Sequence, residues 1–582
     1  MGLLDWVVLF LTLVSIISYG IWKSGRNKSL KSYLVSDKKM HWLTVGMSVM
    51  ATQASAITFL STPGQGFDNG MYFLQFYFGL PLALLILSYT LLPVYHKLNV
   101  TTAYEYLENR FDLKTRSLGV FLFLTQRGLA AGLTIYAPSL ILSNILGWNL
   151  PYTIFAIGLI VIVFTVLGGA KAVGYAQKHQ MFVIFAGIGL AGLMIISLLP
   201  KEVSLSDAIQ VAEKMGKLEA VDWKFDLNSR YNVWSGTIGG VFLFLSYFGT
   251  DQCQVQRYIA GKNVKQARLG LLFNGVLKIP LQFFILMIGV LLFVFYQFVK
   301  PPIFFDSHES EKLYSGLYSP DFKQLESKYD AVFELKKRKV QDLLTAVKDE
   351  NEAKVTILQS ELQVLEKQNK EVREEAKSLI LKNNPEANIN DLDQVFLGFV
   401  IKYLPSGLVG LLVAVILSAS MSSSSSEISA LATTTLVDIY SRLFNKEASI
   451  FVSKIFTVAW GLYAILFAQF AGMLGNLIQV VNILGSLFYG TILGIFLTGF
   501  YFRKITGTEV FIAALLGEIL VFCCFFFTSI SFLWYNVVGC LSVFIISFVI
   551  HYSFKKKKPD SLDFVKEKVF LPQFSEQQLV EW

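Results

Sequence analysis

The stretch WLTVGMSVMATQASAITFLSTPG, residues 42–64, is written differently from its apolar neighbours. It is long enough to cross a bilayer, yet it is rich in small and hydroxyl residues and runs into Pro63 and Gly64. A second stretch, SASMSSSSSEISALATTT at 418–435, has the same character inside the apolar segment 407–437. Hydroxyls at this density gain little from lipid, so both stretches are expected to face other helices or an aqueous cavity. Close packing by small residues explains either stretch taken alone; their pairing favours a site. On a helix, Ala419, Ser422 and Ser423 stand at i, i+3 and i+4, so one carbonyl and two hydroxyls converge. A break near Gln53 would release the carbonyls of Ala51 and Ala54 towards the same point. Five neutral oxygens suit a small, hard monovalent cation, and broken helices at the bilayer midplane are where coupled transporters hold one.

Composition gives these stretches their setting. The 582 residues are 54% hydrophobic and 16% charged, with a mean hydropathy of +0.54, whereas soluble domains carry about 25% charged residues. A crossing needs about 20 apolar residues. Thirteen segments qualify: 3–22, 42–61, 71–95, 117–146, 152–169, 179–199, 232–252, 269–299, 407–437, 450–471, 474–502, 510–529 and 532–553. Residues 3–22 open with Asp5 in place of a basic start, and no small-x-small cleavage site follows Trp22, so they read as a retained helix. Lysine and arginine gather in alternate loops, among them Lys23, Arg26, Lys28, Lys31, Lys38 and Lys39, then Lys97, Arg110, Lys114 and Arg116. The tail 554–582 adds Lys555 to Lys558. The positive-inside rule then puts the N-terminus outside and the C-terminus inside a cell inner or plasma membrane, as a multi-pass protein. On this reading the net charge of +8 is a topology signal, with no nucleic acid implied. Cys253, Cys523, Cys524 and Cys540 lack metal-ligand spacing and a histidine partner, which argues against zinc and disulfides.

Residues 300–395 interrupt this pattern with KKRKVQDLLTAVKDENEAKVTILQSELQVLEKQNKEVREEAKSLILKNN at 336–384, which cannot lie in lipid. Val355, Leu358, Leu362, Leu365, Asn369, Val372, Ala376 and Leu379 step by three and four, the seam of a coiled coil or a helical hairpin. The insertion is expected outside the cytoplasm, as a solvated spacer or a docking site for a partner protein. Spans two to six, 42–199, and spans seven to eleven, 232–502, begin on opposite sides, which predicts two inverted five-helix repeats. Residues 1–41 then form a first helix and cytoplasmic loop, 503–553 two added helices and 554–582 a cytoplasmic tail.

The sequence resembles the sodium/solute symporters, the family that includes sodium/glucose, iodide and monocarboxylate cotransporters. The likeness is carried by ATQASAITFLSTPGQGF at 51–67, GLTIYAPSLIL at 132–142, GGAKAVGYAQKHQ at 168–180, GTDQCQVQRYIAGKN at 249–263, LKIP at 277–280 and GLLVAVILSASMSSSSSEISALATTTLVDIY at 410–440. It covers nearly the whole chain outside 300–395. It implies an all-α, LeuT-like fold and Na+ as coupling ion, and it puts the family's sodium site at Ala51, Ala54, Ala419, Ser422 and Ser423. Some members bind a second sodium through serines that fall here on Ser425 and Ser426, with an aspartate whose position is Gln177. Loss of that carboxylate implies coupling nearer to one sodium per substrate.

By the same resemblance, substrate positions fall on Gln53, Ser55 and Thr58, on Phe73 and Tyr77, and on Phe244, Tyr247 and Phe248, with Tyr247 and Phe248 as the cytoplasmic gate. Tyr77 replaces a sugar-binding carboxylate of sodium/galactose relatives, which speaks against a simple hexose. Lys278 falls on a lysine near the sugar in relatives.

Ionisable residues inside spans are functional candidates, and the low charge fraction leaves Arg127, Lys278, Asp251 and Glu518 as the internal charges. Arg127 and Lys278 lie about ten residues into their spans, about 15 Å deep. Arg127 suits bidentate recognition of a carboxylate; pairing with Asp251 is the structural alternative. Asp251, Gln252 and Arg257 end the seventh span, where gate or structural duties are expected. Together these readings describe a sodium-driven symporter importing a sugar or an organic anion such as sialic acid or a monocarboxylate. A transporter-like sensor signalling through a partner is the competing class. No H-E-x-x-H, nucleophile elbow or phosphate loop points to an enzyme.

Overall fold

The computed structural model describes residues 2–24, 29–35, 38–385, 387–474 and 477–553. Arg26 and Lys28 of the first basic loop, and the tail 554–582 with Lys555 to Lys558, lie outside them. Among the described residues the backbone is helical throughout its regular parts, and the β contact is one isolated bridge between Met40 and Gly261. Among the described residues, ten helices are long and apolar enough to cross a membrane. The chain is therefore an all-α, multi-pass membrane protein.

We label α1 Leu3–Ser24, α2 Trp42–Gln53, α3 Ala56–Asn69, α4 Leu80–Tyr89, α5 Leu113–Leu146, α6 Leu150–Ser197, α7 Gly240–Gly249, α8 Gln252–Ile259 and α9 Val264–Phe298. Two helices outside the apolar set follow, α10 Ser319–Lys348 and α11 Glu352–Asn383, and then α12 Leu408–Thr434, α13 Ile450–Ala468, α14 Leu477–Tyr501, α15 Gly507–Phe527 and α16 Phe532–Ser553. Burial separates inner from outer helices. In the most apolar window of the helical run Leu408–Ser441, 89% of residues are buried, against 22% for α1 and 28% for α13. The hydroxyl-rich helix thus faces protein, while Phe451 and Leu466 on α13 point outward as lipid-facing residues do.

The helix through 42–64 breaks at Ala54 and Ser55, where the backbone turns extended (Ala54 φ −87°, ψ 76°; Ser55 φ −81°, ψ 170°). The last carbonyls of α2 and the first N–H groups of α3 are left without intrahelical partners, as at any helix end. α9 runs beside both halves. A Cβ on Gly46 would come within 3.0 Å of the Gly270 carbonyl, and one on Gly289 within 2.9 Å of Gly66 Cα.

Three expected spans differ in form from the sequence reading. Segment 71–95 begins with a 3-10 turn, Gly70–Tyr77, before α4, because Gly70 takes φ +65°. Segments 152–169 and 179–199 are joined without a loop: the stretch labelled α6 is two helical arms that meet at a kink at Gly169 (φ 61°, ψ −173°), and the second arm carries Lys171 and Lys178. Tyr33 packs against the bend, and its hydroxyl donates to the carbonyls of Thr165 at 3.4 Å and Val166 at 3.2 Å.

Residues 300–395 fold back as a helical hairpin rather than extending. Val340 and Leu343 on α10, and Val355, Leu358 and Leu362 on α11, join the main core, while Phe322, Tyr329, Val372, Ala376 and Ile380 form a separate cluster farther along. Of the expected seam, Leu365 and Leu379 are half-buried and the others buried. The hairpin rests on the segment after α6 through Lys348 with Asp207 at 3.2 Å and Gln359 with the Lys214 carbonyl at 2.8 Å.

Candidate functional site

The break in the 42–64 helix and the middle of α12 meet. Ser422 Oγ donates to the Ala51 carbonyl at 3.1 Å. Ser423 Oγ turns back along its own helix to the carbonyls of Ala419 at 3.2 Å and Ser420 at 3.1 Å. Ala51, Ala54, Ala419, Ser422 and Ser423 are all buried. Their donor chemistry, uncharged carbonyl and hydroxyl oxygens, fits a sodium ion, a hard cation that takes oxygen ligands.

Gln177 on α6 lies beside this meeting point. Its Nε2 donates to Ser426 Oγ at 2.7 Å, to Thr52 Oγ1 at 3.0 Å and to the Ser422 carbonyl at 3.3 Å, and its Oε1 accepts from Ser48. Ser426 in turn donates to the Ser422 carbonyl at 2.8 Å. Ser425 is buried, with an Oγ that has no hydrogen-bond partner.

A cavity of about 110 Å³ adjoins the break. Gln53, Ser55 and Thr58 line one wall, Tyr77, Phe244 and Tyr247 another, and Arg127, Ser423, Glu427 and Tyr489 close it. Ser423 therefore belongs both to the oxygen set and to the cavity wall. Room for one water needs roughly 10–15 Å³ on this measure, so the space suits a small organic solute rather than a single ion. Three sequence candidates lie outside the wall. Phe73 stacks on Phe76 with ring centres 5.5 Å apart. Phe248 is fully buried against Tyr247, ring centres 4.9 Å apart. Lys278 stands behind Tyr77, its Nζ 5.5 Å from the ring centre and without a hydrogen-bond partner.

Arg127 is engaged on both sides. Its Nη2 pairs with Asp251 and donates to Tyr489 Oη at 2.5 Å, and its Nη1 meets Glu427 Oε1 at 3.1 Å. The other Glu427 oxygen accepts from Thr134 Oγ1 at 2.6 Å. Tyr247 covers this cluster, with the Arg127 guanidinium 5.6 Å from its ring centre, and its hydroxyl accepts from Gln254 at 2.7 Å. Asp251 also caps α8 through the Cys253 N–H at 2.8 Å. Arg257, near the end of α8, is buried and reaches only the Ala170 carbonyl, at 3.4 Å, among the hydrogen bonds described.

The short set of internal charges drawn from the sequence is too small. Asp5, Arg116, Glu427 and Asp438 are also buried on spans or at their ends, alongside Glu518. Glu427 carried a signal, because an acid inside a span is costly and marks a function by default, but the surrounding serines drew the reading to hydroxyls. Gln126, Asn482 and Tyr489 carried none: Gln126 stands beside Arg127, and Asn482 and Tyr489 share one span with Gln479, Ser486 and Thr491, so nothing in the sequence singles them out.

Above the cavity, Asp393 sits in a short turn, Leu392–Gln394, and accepts from the N–H of Leu477, the first residue of α14, at 3.5 Å. It also interacts with Ser61 on α3. Burial pushes its carboxyl up to about 6, against the opposing pull of the Ser61 and Leu477 bonds.

Residues 33–304 and 380–517 match the sodium:solute symporter family, and the unmatched middle is the hairpin. The sodium/iodide cotransporter of Homo sapiens is 31% identical over 306 residues, 52% of this chain and 47% of that protein. The sodium-dependent multivitamin transporter of Oryctolagus cuniculus is 33% identical over 306 residues, 51% of this chain and 46% of that protein. The chain thus spans about half the length of the curated relatives it matches. Among solved structures, the substrate-bound outward-open state of a Na+-coupled sialic acid symporter superposes with a TM-score of 0.73 at 22% identity, over 95% of this chain and 98% of that one. That likeness extends the fold, with its inverted-repeat-like core, to almost all of the chain. With the two matched stretches making up more than half of its length, the chain belongs to the sodium:solute symporter family.

Proposed function

We propose that the protein is a Na+-coupled symporter that imports a small polar organic solute, a sugar or an organic anion of the sialic acid or monocarboxylate kind, by alternating access. One observation carries the reading: the Ser422 hydroxyl meets the Ala51 carbonyl at the break, while Ser423 of the same turn faces the cavity. An ion held by Ala51, Ala54, Ala419, Ser422 and Ser423 would order the break, and with it the cavity wall formed by Gln53, Ser55 and Thr58. Such coupling is reciprocal: if sodium raises solute affinity, solute raises sodium affinity by the same factor.

The finer assignments belong to the same proposal. The broken helix counts as one span, 70–98 as the next, the arms of α6 as two and 235–249 as a short one, which brings the total to thirteen. Residues 42–199 and 232–502 then form two inverted, LeuT-like repeats, with the N-terminus outside and the C-terminus inside. Gln53, Ser55, Thr58, Tyr77 and Tyr247 contact solute. Phe73 and Lys278 support them from behind, Tyr247 and Phe248 form the inner gate, and Arg127 holds that gate through Asp251. Ser425 and Ser426 hold no second sodium while Gln177 donates into the place a cation needs. The hairpin, which exposes Leu335, Ile357 and Val364, is where a partner protein would dock.

Uptake into proteoliposomes under an imposed sodium gradient tests the reading. Solute accumulation should require sodium, and Ser423→Ala should weaken sodium activation more than it lowers thermal stability. Unchanged sodium activation in that variant would remove the site.

A further inference from the structure

Glu427 stands in the wall of the solute cavity, one helical turn from Ser423, and it is the acid that the serine run conceals. Its two oxygens have fixed partners, Arg127 Nη1 at 3.1 Å and Thr134 Oγ1 at 2.6 Å. On the other side of the guanidinium, Nη2 is taken by Asp251 and Tyr489. Only Nε of Arg127 lacks a hydrogen-bond partner. A bidentate grip on a carboxylate uses two parallel N–H groups of one edge, and here each terminal nitrogen already faces a carboxylate. An incoming anion would have to displace one of them, in a closed site where like charges a few ångströms apart repel strongly.

The cluster holds two carboxylates, Asp251 and Glu427, against one guanidinium, an excess of negative charge that a hydroxyl or amine donor matches and a further anion does not. Lys278 is not among the residues lining the cavity; its Nζ lies over the Tyr77 ring, 5.5 Å from the centre.

We infer that Glu427 sets solute choice: it holds Arg127 against carboxylates and offers its oxygens to hydroxyl or amine donors, so the solute is neutral or cationic. This rests on the symporter reading and decides between its two solute classes. It also gives Arg127 a role through the gate, not through direct contact with solute.

The test is a binding panel on the full-length protein, read by thermal shift with and without sodium. The probes are a hexose, a polyol and an amino sugar against N-acetylneuraminate, lactate and biotin. The wild type should be stabilised by members of the first group only. Glu427→Gln removes the charge at constant shape; it should lose about tenfold or more in affinity for those donors and gain binding of a carboxylate through the freed Arg127. Binding of carboxylates by the wild type, unaltered in Glu427→Gln, would overturn the inference, as would the absence of any shift with the hydroxyl and amine probes. If Glu427→Gln does not fold, the wild-type panel decides alone. Solute binding that ignores sodium would remove the sodium site, while the class of solute bound would still decide the role of Glu427.

Discussion

Gln177 donates to Ser426 at 2.7 Å, across the interface between α6 and α12. The same amide nitrogen reaches Thr52 on α2, so three helices share one donor group. Amide donors and cations compete for the same oxygens, and here the amide has them. At the position that the resemblance in sequence assigns to an aspartate of a second sodium site, a neutral amide points its hydrogens at the hydroxyls.

Sodium activation of the wild type should therefore follow a single-ion curve. Gln177→Asp should steepen it towards two ions and should lower thermal stability in sodium-free buffer, where the buried carboxylate has no counter-charge. Added sodium should restore that stability. A cooperative sodium dependence in the wild type, measured by initial uptake rates, would contradict the single-ion assignment.

The triad of Arg127, Asp251 and Glu427 makes an unequal set of variants. Removing the shared cation in Arg127→Met leaves two buried carboxylates facing each other, and breaking a buried pair in this way costs about 3–5 kcal/mol. Asp251→Asn leaves Arg127 with Glu427 and should cost less. Denaturation midpoints in matched detergent should rank wild type, Asp251→Asn and Arg127→Met in falling order. An Arg127→Met protein as stable as wild type would mean the triad holds nothing together.

Much of the fold was legible because lipid imposes a simple rule of length and polarity. The broken helix could be placed to within two residues because ATQASA lacks the large apolar residues that fill neighbouring spans, and Pro63 follows. The bend at Gly169 was not legible as a bend. Lys171 and Lys178 marked a loop by charge, while the backbone stays helical and turns at a single glycine. Within the site, Ser422 and Ser423 announced themselves by spacing. The partners of Arg127 did not, since Glu427 and Tyr489 come from spans about 300 and 362 residues away, and nothing in one sequence links them.

Gly169 is a position that side chains resist. Its φ of 61° with ψ near −173° is a region that essentially only glycine occupies, and a Cβ there would meet the Tyr33 ring at 2.6 Å. Gly169→Ala should cost about 1–3 kcal/mol from the backbone alone, plus the displacement of Tyr33 from the carbonyls it caps. Tyr33→Phe, which keeps the ring and loses only the hydroxyl, should cost less than half as much. Equal midpoints for the two variants would place the constraint in the tyrosine hydroxyl and not in the bend.

Asp393 gives the stability of the protein a dependence on pH with a definite sign. Its carboxyl titrates at about 6 in the folded protein, chiefly through burial, against a usual value of 3.8. Between those values the folded state binds the proton and the unfolded chain does not, so stability falls as pH rises from about 4 to about 6 and then levels. The shift corresponds to about 3 kcal/mol. Asp393→Asn keeps an acceptor for the Leu477 N–H and removes the charge. It should be more stable than wild type at pH 7.5, and the two midpoints should converge as pH is lowered towards 4. Because the residue ties the second half of the broken helix to the start of α14, the same substitution should also slow solute uptake at neutral pH more than at pH 5. A gap between the midpoints that widens on acidification would show that Asp393 is held ionised.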